Sequence, residues 1–173
     1  MPFSYASDLV TDAKGGFYFN ESRGVPTPRI LYFPPNNGKP ISLGRGFNIN
    51  GLILSPDEKT LYVTNRDKLA SYDIQPDGAG TNGHDFATLT GQGGGDGICI
   101  DADGRIYVTT PTGIQVIGPK GDNLGTIPTP LPPITIAFSG RDKKELFIVG
   151  TGVADASGKM LEGNRPKIGR AHV

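Results

Sequence analysis

Three polar residues, Ser7, Asn50 and Asp96, open three short apolar stretches of similar pattern along the chain. The amide oxygen of Asn50 and the carboxylate of Asp96 are hard oxygen ligands. Such ligands suit Ca²⁺, Mg²⁺ or Mn²⁺ and are acceptable to Zn²⁺. Whether these residues share one cation depends on the elements that carry them.

Each of the three residues begins a repeated unit in which two apolar strands flank a polar turn. The units start near residues 7, 50, 96 and 134, so the successive steps are 43, 46 and 38 residues. A drifting period of about 40–45 residues built from short strands is typical of β-propeller blades. In a propeller the start of each innermost strand points at the central channel. Ser7, Asn50 and Asp96 are therefore predicted to converge there.

The repeats predict an all-β fold, a β-propeller that is incomplete, with about three and a half blades of four-stranded antiparallel meanders. The predicted blades span 5–46, 47–92, 93–130 and 131–152, which together form one partial propeller over 1–152. The Gly- and Asp-rich stretch 75–85 is predicted to be a loop, followed by a strand at 86–89.

After residue 152 the strand pattern ends in charged residues, glycine and proline. Residues 153–173 are therefore predicted to be an irregular tail without a strand. The last six residues, Ile168 to Val173, match the translation of a common sequencing adapter. We expect these last residues to be non-native.

The bulk composition excludes several classes of protein. The 173 residues carry 17 basic and 17 acidic side chains, so we expect no nucleic-acid partner and no anionic membrane partner. No apolar run approaches about 18 residues, the length that a membrane-spanning helix needs. The single cysteine, Cys99, excludes an intrachain disulfide. We expect a soluble protein, and the sequence leaves its compartment open between the cytoplasm and the periplasm or exterior.

Other catalytic chemistries lack their residues. No G-x-S-x-G motif is present, and no serine or cysteine has an evident histidine partner. The Asp101-Ala102-Asp103-Gly104 stretch lacks the later ligands and the closing glutamate of a calcium loop, so it is interpreted as a hairpin turn. Cys99 lies in an apolar alternation and is interpreted as a packing residue.

Several motifs occur in the order found in one known family: Asn50-Gly51-Leu52, Ser55-Pro56-Asp57, Asp96 to Asp101, Gly104-x-Ile106-Tyr107-Val108, Gly113 to Val116 and Leu124 to Pro130. In these motifs the chain resembles the gluconolactonase / senescence-marker-protein (regucalcin) family over about residues 5–152. The resemblance implies a six-bladed propeller of roughly twice this length. It also implies one divalent cation in the channel and hydrolysis of lactones, mostly of sugar acids such as gluconolactone.

The resemblance also implies roles for single residues. Asn50 and Asp96 match two of the three protein ligands of the family's cation, and Asp96 is expected to assist proton transfer as the catalytic residue. The third ligand, a glutamate of the first blade, has no counterpart here, so we expect the chain to be the C-terminal portion of a propeller. Ser7 aligns with a channel asparagine near the substrate, and Ser7 and Asn50 are expected to bind substrate. Ca²⁺ is the first expected cation, with Zn²⁺ and Mn²⁺ as alternatives.

The sequence also allows plainer interpretations of the same residues. Asn50-Gly51 is also a turn dipeptide, Asp96-Gly97 also suits a flexible connection after Gly93 to Gly95, and Ser7 also suits a strand-opening turn. On the resemblance, the predicted function is metal-dependent hydrolysis of a small-molecule lactone. The alternatives are a non-catalytic propeller module that binds a ligand or protein, and an inactive fragment. An open propeller would expose sheet edges and apolar faces, so self-association through them is also expected.

Overall fold

The computed structural model of the chain describes residues 6–21, 27–36, 38–45, 48–91, 93–152 and 167–172. Within these ranges the regular elements are all β-strands, arranged as four antiparallel sheets. Residues 153–166 and 173, which belong to the predicted tail, lie outside the described residues. No helix among the described residues has the length and apolar character needed to cross a membrane.

The strands follow the chain order within every sheet. The first sheet contains β1 (Ala6–Thr11), β2 (Phe17–Glu21), β3 (Arg29–Phe33) and β4 (Ile41–Arg45). The second contains β5 (Ile49–Leu54), β6 (Thr60–Asn65), β7 (Lys68–Ile74) and β8 (Gly80–Thr88). The third contains β9 (Ile98–Ile100), β10 (Ile106–Thr110), β11 (Gly113–Ile117) and β12 (Asn123–Ile127). The fourth contains β13 (Pro133–Ser139), β14 (Glu145–Gly150) and β15 (Lys167–His172). These antiparallel meanders confirm the predicted all-β fold class.

Neighbouring sheets pack face to face through three apolar clusters. The first cluster joins the first and second sheets, and it includes Tyr18, Ile30, Leu52, Leu61 and Val63. The second joins the second and third sheets through residues such as Leu69, Ile98, Ile106 and Val108. The third joins the third and fourth sheets through residues such as Tyr107, Ile114, Ile136 and Leu146. The sheets are therefore stacked in chain order.

Strand β6 shows why the inner strands are apolar on both faces. Leu61 and Val63 pack against the first sheet, whereas Tyr62, between them, packs against the third. Successive side chains of a strand point to opposite faces, so a sheet that is covered on both sides needs a continuous apolar run. In β10, Ile106 and Val108 face the second sheet and Tyr107 faces the fourth.

The Asp101 turn is closed by its own side chain. The backbone N–H groups of Asp103 and Arg105 donate to Oδ1 of Asp101 at 3.0 and 2.9 Å. Gly104 has a φ of +80°, a conformation that favours glycine. This arrangement agrees with the interpretation as a hairpin turn.

Strand β8 differs from the sequence-based prediction. Residues 80–85, predicted to belong to a loop, form the first part of β8 and pair with β7. Residues 81–85 are exposed and consist of one glycine and four polar residues, so they carry no apolar alternation. Ladder hydrogen bonds are made by the backbone and need no particular side chain, which is why composition alone missed this segment.

The tail also differs from the prediction. Residues 167–172 were expected to be irregular, but they form β15, which pairs with β14 from Glu145↔His172 to Gly150↔Lys167. Strand β14 would otherwise present an open edge of unpaired backbone groups, and any extended segment can satisfy these groups. The fourth sheet therefore has three strands. That the last residues are non-native stays a prediction.

The face-to-face packing makes a prediction for stability. Leu61→Ala removes a fully buried side chain (0% exposed) from the first cluster, so we expect the free energy of unfolding to fall by about 2–5 kcal/mol. Leu124→Ala is the matched control, because Leu124 is 52% exposed and its truncation should change that free energy by less than about 0.5 kcal/mol. Urea denaturation measures both. Equal losses would contradict this placement of Leu61.

Candidate functional site

The three candidate residues occupy equivalent places in neighbouring sheets. Ser7 is the second residue of β1 and Asn50 is the second residue of β5. Asp96 lies two residues before β9. Strands β1, β5 and β9 are the first strands of successive sheets, so all three residues lie at the entry end of a first strand.

Ser7 and Asn50 are in direct contact although 43 positions separate them. The Ser7 hydroxyl donates a hydrogen bond to Oδ1 of Asn50 at 2.8 Å. Asn50 is half-buried and Ser7 is exposed. The contact turns the oxygen of the Asn50 amide, rather than its NH₂ group, towards Ser7. An amide oxygen has two lone pairs, so one remains for another partner.

Asp96 is bonded through its backbone to Gly51, the neighbour of Asn50. The N–H of Gly51, the residue after Asn50, donates to the carbonyl oxygen of Asp96 at 3.1 Å. The N–H of Asp96 donates to the carbonyl of Thr109 at 2.9 Å, and the N–H of Gly95 donates to the carbonyl of Arg66 at 2.9 Å. These bonds bind the backbone of 95–96 to the second and third sheets, whereas a loosely tethered connection would lack them.

The approach of the second and third sheets at this point requires Gly51. A Cβ atom at position 51 would lie 2.3 Å from the carbonyl oxygen of Asp96. No side chain fits at that distance from a backbone atom. The Asn50-Gly51 pair lies within β5, where the glycine permits this close contact.

Three buried polar side chains were missed by the sequence reasoning. Asn20, Thr64 and Thr109 lie one residue before the end of β2, β6 and β10, and each is 0% exposed. The Thr64 hydroxyl accepts from the N–H of Gly51 at 2.8 Å and donates to the carbonyl of Asp96 at 3.2 Å. The Thr109 hydroxyl lies 3.1 Å from the carbonyl of Gly97 and 2.9 Å from that of Ile134. A polar residue recurring at this register of the second strand was the available signal.

Asp8 is a further carboxylate at this end of the sheets. It follows Ser7, as Gly51 follows Asn50 and Gly97 follows Asp96. Oδ2 of Asp8 accepts from the N–H of Leu52 at 3.0 Å, and Oδ1 accepts from the N–H of Leu9 at 2.9 Å. Burial raises the pKa of Asp8, and the bonds from Leu52 and Leu9 lower it by less.

The chemical types of the candidate donor atoms suit a hard divalent cation. The candidate set combines the amide oxygen of Asn50, the hydroxyl of Ser7 and the carboxylate of Asp96, and such oxygen donors are the ones that Ca²⁺ and Mg²⁺ prefer. Among the residues that the structure describes, no three His, Cys, Asp or Glu side chains cluster as a metal site. A cation here would therefore depend on the mixed set.

Cys99 lies in the wall between the third and fourth sheets. It is buried, and burial, with a smaller contribution from Asp101, raises the pKa of its thiol to about 12. The thiol is therefore protonated at neutral pH, and it packs as a small apolar group, as the sequence predicted.

Comparison with known proteins identifies the family. The profile of the SMP-30/Gluconolactonase/LRE-like region matches residues 4–152. The chain belongs to this family. The family predicted from the sequence motifs is confirmed.

Two curated relatives are lactonases named drp35. The protein from Staphylococcus haemolyticus (strain JCSC1435) is 32% identical over 171 residues, which cover 92% of this chain and 46% of the relative. The protein from Staphylococcus saprophyticus is 36% identical over 135 residues, which cover 71% of this chain and 41% of the relative. The chain spans about half the length of the curated relatives it matches.

Two solved structures share the fold. A gluconolactonase from Xanthomonas campestris has a TM-score of 0.76 and 27% identity, and the match covers 84% of this chain and 54% of that one. A calcium-binding protein, regucalcin, from Agrobacterium tumefaciens has a TM-score of 0.79 and 21% identity, with 95% of this chain and 60% of that one covered. The second likeness bears on the fold alone. The prediction of a partial propeller is confirmed.

The contact at Gly51 makes a prediction for the site's architecture. In Gly51→Ala the new Cβ meets a backbone carbonyl, so the sheets must separate, and we expect a loss of about 1–3 kcal/mol in the free energy of unfolding. Gly150→Ala is the matched control, because Gly150 also lies in a strand and its Cβ would come no closer than 3.3 Å to another atom, in the side chain of Leu131. We expect the control to change that free energy by less than about 1 kcal/mol. Thermal unfolding followed by circular dichroism distinguishes them, and a larger loss in Gly150→Ala would refute the close approach.

Proposed function

We propose that this chain forms the catalytic portion of a metal-dependent lactone hydrolase. The observation that carries the proposal is the contact between the Ser7 hydroxyl and Oδ1 of Asn50, beside the backbone of Asp96. The contact brings together oxygen donors from separate sheets at one end of their first strands. The relatives named lactonase and gluconolactonase support the reaction class.

Asn50 and Asp96 are the proposed cation ligands. Asn50 contributes its amide oxygen, which the Ser7 hydroxyl orients, and Asp96 contributes its carboxylate. A divalent cation bound there would polarise the carbonyl of the lactone. Ca²⁺ is proposed first, because it prefers such oxygen ligands, and Zn²⁺ and Mn²⁺ are the alternatives. Two ligands should hold a cation more weakly than a complete set, because affinity rises with the number of ligands.

The remaining steps belong to the side chains of the chain. Ser7 and Asn50 offer a hydroxyl and an amide NH₂ group that can hold the polar atoms of the substrate ring. The Asp96 carboxylate accepts the proton of the attacking water and returns a proton to the leaving oxygen as the ring opens. We propose a sugar-acid lactone such as gluconolactone as the substrate, on the basis of the gluconolactonase neighbour.

The proposed function predicts an activity that requires a metal and depends on Asp96. Hydrolysis of gluconolactone should be lost after EDTA treatment and recovered with Ca²⁺, Mn²⁺ or Zn²⁺. Asp96→Ala should lower kcat/KM by about 10²–10⁴-fold, because it removes both a ligand and the proton acceptor. Asp67→Ala is the control, since Asp67 is exposed in the turn between β6 and β7 and should leave kcat/KM unchanged. A pH-stat assay that follows acid release measures both variants.

Two outcomes of that assay would count against the proposal. Turnover that survives EDTA would contradict the need for a metal. A folded chain with neither turnover nor uptake of any divalent cation would favour the alternatives, a non-catalytic propeller module that binds a ligand or protein, or an inactive fragment.

We further propose that copies of the chain associate through their terminal sheets. One face of the first sheet carries Leu9, Phe17, Phe19, Leu31 and Phe33, which the strand register places side by side. Leu9 is 60% exposed and Phe17 is 38% exposed, and Phe17 stacks on Phe33 with a centroid separation of 5.1 Å. Face-to-face packing already joins the sheets within the chain, and the fourth sheet also exposes an apolar side chain, Phe147, at 36%. The first sheet of one copy would pack on the fourth sheet of another in the same way.

This association makes a prediction for the mass in solution. We expect oligomers at micromolar concentration, and Leu9→Lys should raise the monomer fraction because it places a charge in the apolar face. Leu124→Lys is the matched control, because Leu124 is also exposed but lies on β12, outside both faces. Size-exclusion chromatography with light scattering reads the mass. A strictly monomeric, monodisperse chain would rule the association out.

A further inference from the structure

The side chain of Asn20 lies between the first strands of two sheets. It is 0% exposed and comes from the second strand of the first sheet. Its Oδ1 accepts from the N–H of Ser7 at 3.2 Å and from the N–H of Asp8 at 2.8 Å. Its Nδ2 donates to the carbonyl of Asn50. One amide thus binds the backbones of both residues whose side chains meet in the candidate site.

The other junctions between sheets are built differently. Where the second and third sheets meet, the N–H of Gly51 donates directly to the carbonyl of Asp96, and the Thr64 hydroxyl supports that bond. Where the third and fourth sheets meet, the N–H of Gly97 donates to the carbonyl of Ile134 at 2.9 Å. These direct bonds require a glycine, because a Cβ at either position would overlap the backbone of the next sheet.

The junction of the first and second sheets has Asp8 in the place of that glycine. The N–H of Asp8 donates to Asn20, and the amide of Asn20 in turn donates to Asn50. A primary amide carries an acceptor and two donors on separate atoms, so it can relay a bond across a wider gap than a hydroxyl, which uses one atom for both. Asn20 therefore substitutes for the direct bond between the backbones of the two sheets.

We infer that Asn20 is a positioning residue of the proposed site. It fixes the separation between Ser7 and Asn50, and this separation decides whether the Ser7 hydroxyl reaches Oδ1 of Asn50 and turns that oxygen to the cation. The inference rests on the proposed function for its effect on the cation, while the relay itself rests on the three hydrogen bonds of the Asn20 side chain. Loss of such a supporting group typically lowers the affinity for a metal about 10- to 100-fold.

The relay is tested first without metal, by hydrogen exchange. In the wild-type chain the amide protons of Ser7 and Asp8 should exchange slowly, because a buried acceptor binds them. Asn20→Leu keeps the approximate volume and removes both the acceptor and the donor, so the Ser7 and Asp8 amides should lose their protection. Thr109→Val is the control, since its hydroxyl bonds to Gly97 and Ile134 and its loss should leave Ser7 and Asp8 protected. Unchanged exchange at Ser7 and Asp8 in Asn20→Leu would overturn the inference.

The effect on the site is tested by Ca²⁺ titration calorimetry of the same variants. Asn20→Leu should weaken Ca²⁺ binding about 10- to 100-fold, whereas Thr109→Val should change it by less than about threefold. Asn20→Thr introduces the residue of the equivalent positions 64 and 109, so it should fold even where Asn20→Leu does not. It should still bind Ca²⁺ weakly, because one hydroxyl cannot serve both strands. Wild-type Ca²⁺ affinity in Asn20→Thr would contradict the need for an amide. Absence of Ca²⁺ uptake by the wild-type chain would contradict the proposed function. In that case the hydrogen-exchange result alone decides whether Asn20 links the two sheets.

Discussion

The first strands of the stacked sheets form the inner edges of those sheets, and buried polar groups join each inner edge to the next. The rest of the structure depends on these junctions, here called joints. Apolar packing brings the sheets together, but it has no direction and tolerates sliding. The side chains of Asn20, Thr64 and Thr109 are fully buried and bonded across the joints, so each has one geometry in which its donors and acceptors are satisfied. A shift of one sheet against the next would leave these groups unpaired at a cost of about 1–3 kcal/mol each. The joints therefore fix the relative positions of the first strands.

The candidate site is a consequence of that constraint. Ser7, Asn50 and Asp96 all open or precede a first strand, and the joints hold these three strands at one level. The side chains of Ser7 and Asn50 meet there, and the backbone of Asp96 bonds to Gly51 beside them. The joint between the first and second sheets is the exception among the three. It contains the half-buried carboxylate of Asp8 and the amide of Asn20, where the other two joints have a glycine. The proposed cation chemistry and the proposed role of Asn20 both belong to this unusual joint. The same residues thus hold the fold together and arrange the oxygen donors.

The chain belongs to the SMP-30/gluconolactonase family, and its length relative to other members bears on its two terminal sheets. The chain spans about half the length of its drp35 relatives, and its two terminal sheets expose apolar side chains such as Leu9, Phe17 and Phe147. Face-to-face packing is the means by which every sheet of this chain covers its neighbour, so the exposed faces suit the same kind of contact. The proposed association depends on the outer faces of the first and fourth sheets. The proposed lactone chemistry depends on the inner edges, where the first strands begin.

The sequence by itself determined the repeat, the alternation of the strands and the family, because these follow from the period of apolar residues and from motifs that lie close together in the chain. It also pointed to Ser7, Asn50 and Asp96 as residues at equivalent places. Only the tertiary structure decided the extent of β8 and the pairing of β15, because strand pairing is made by backbone groups that any residue carries. It alone revealed Asn20 and Asp8, since a bond between residues on different sheets exists only after the sheets have stacked. Local patterns specify strands, whereas contacts between distant segments arise from packing.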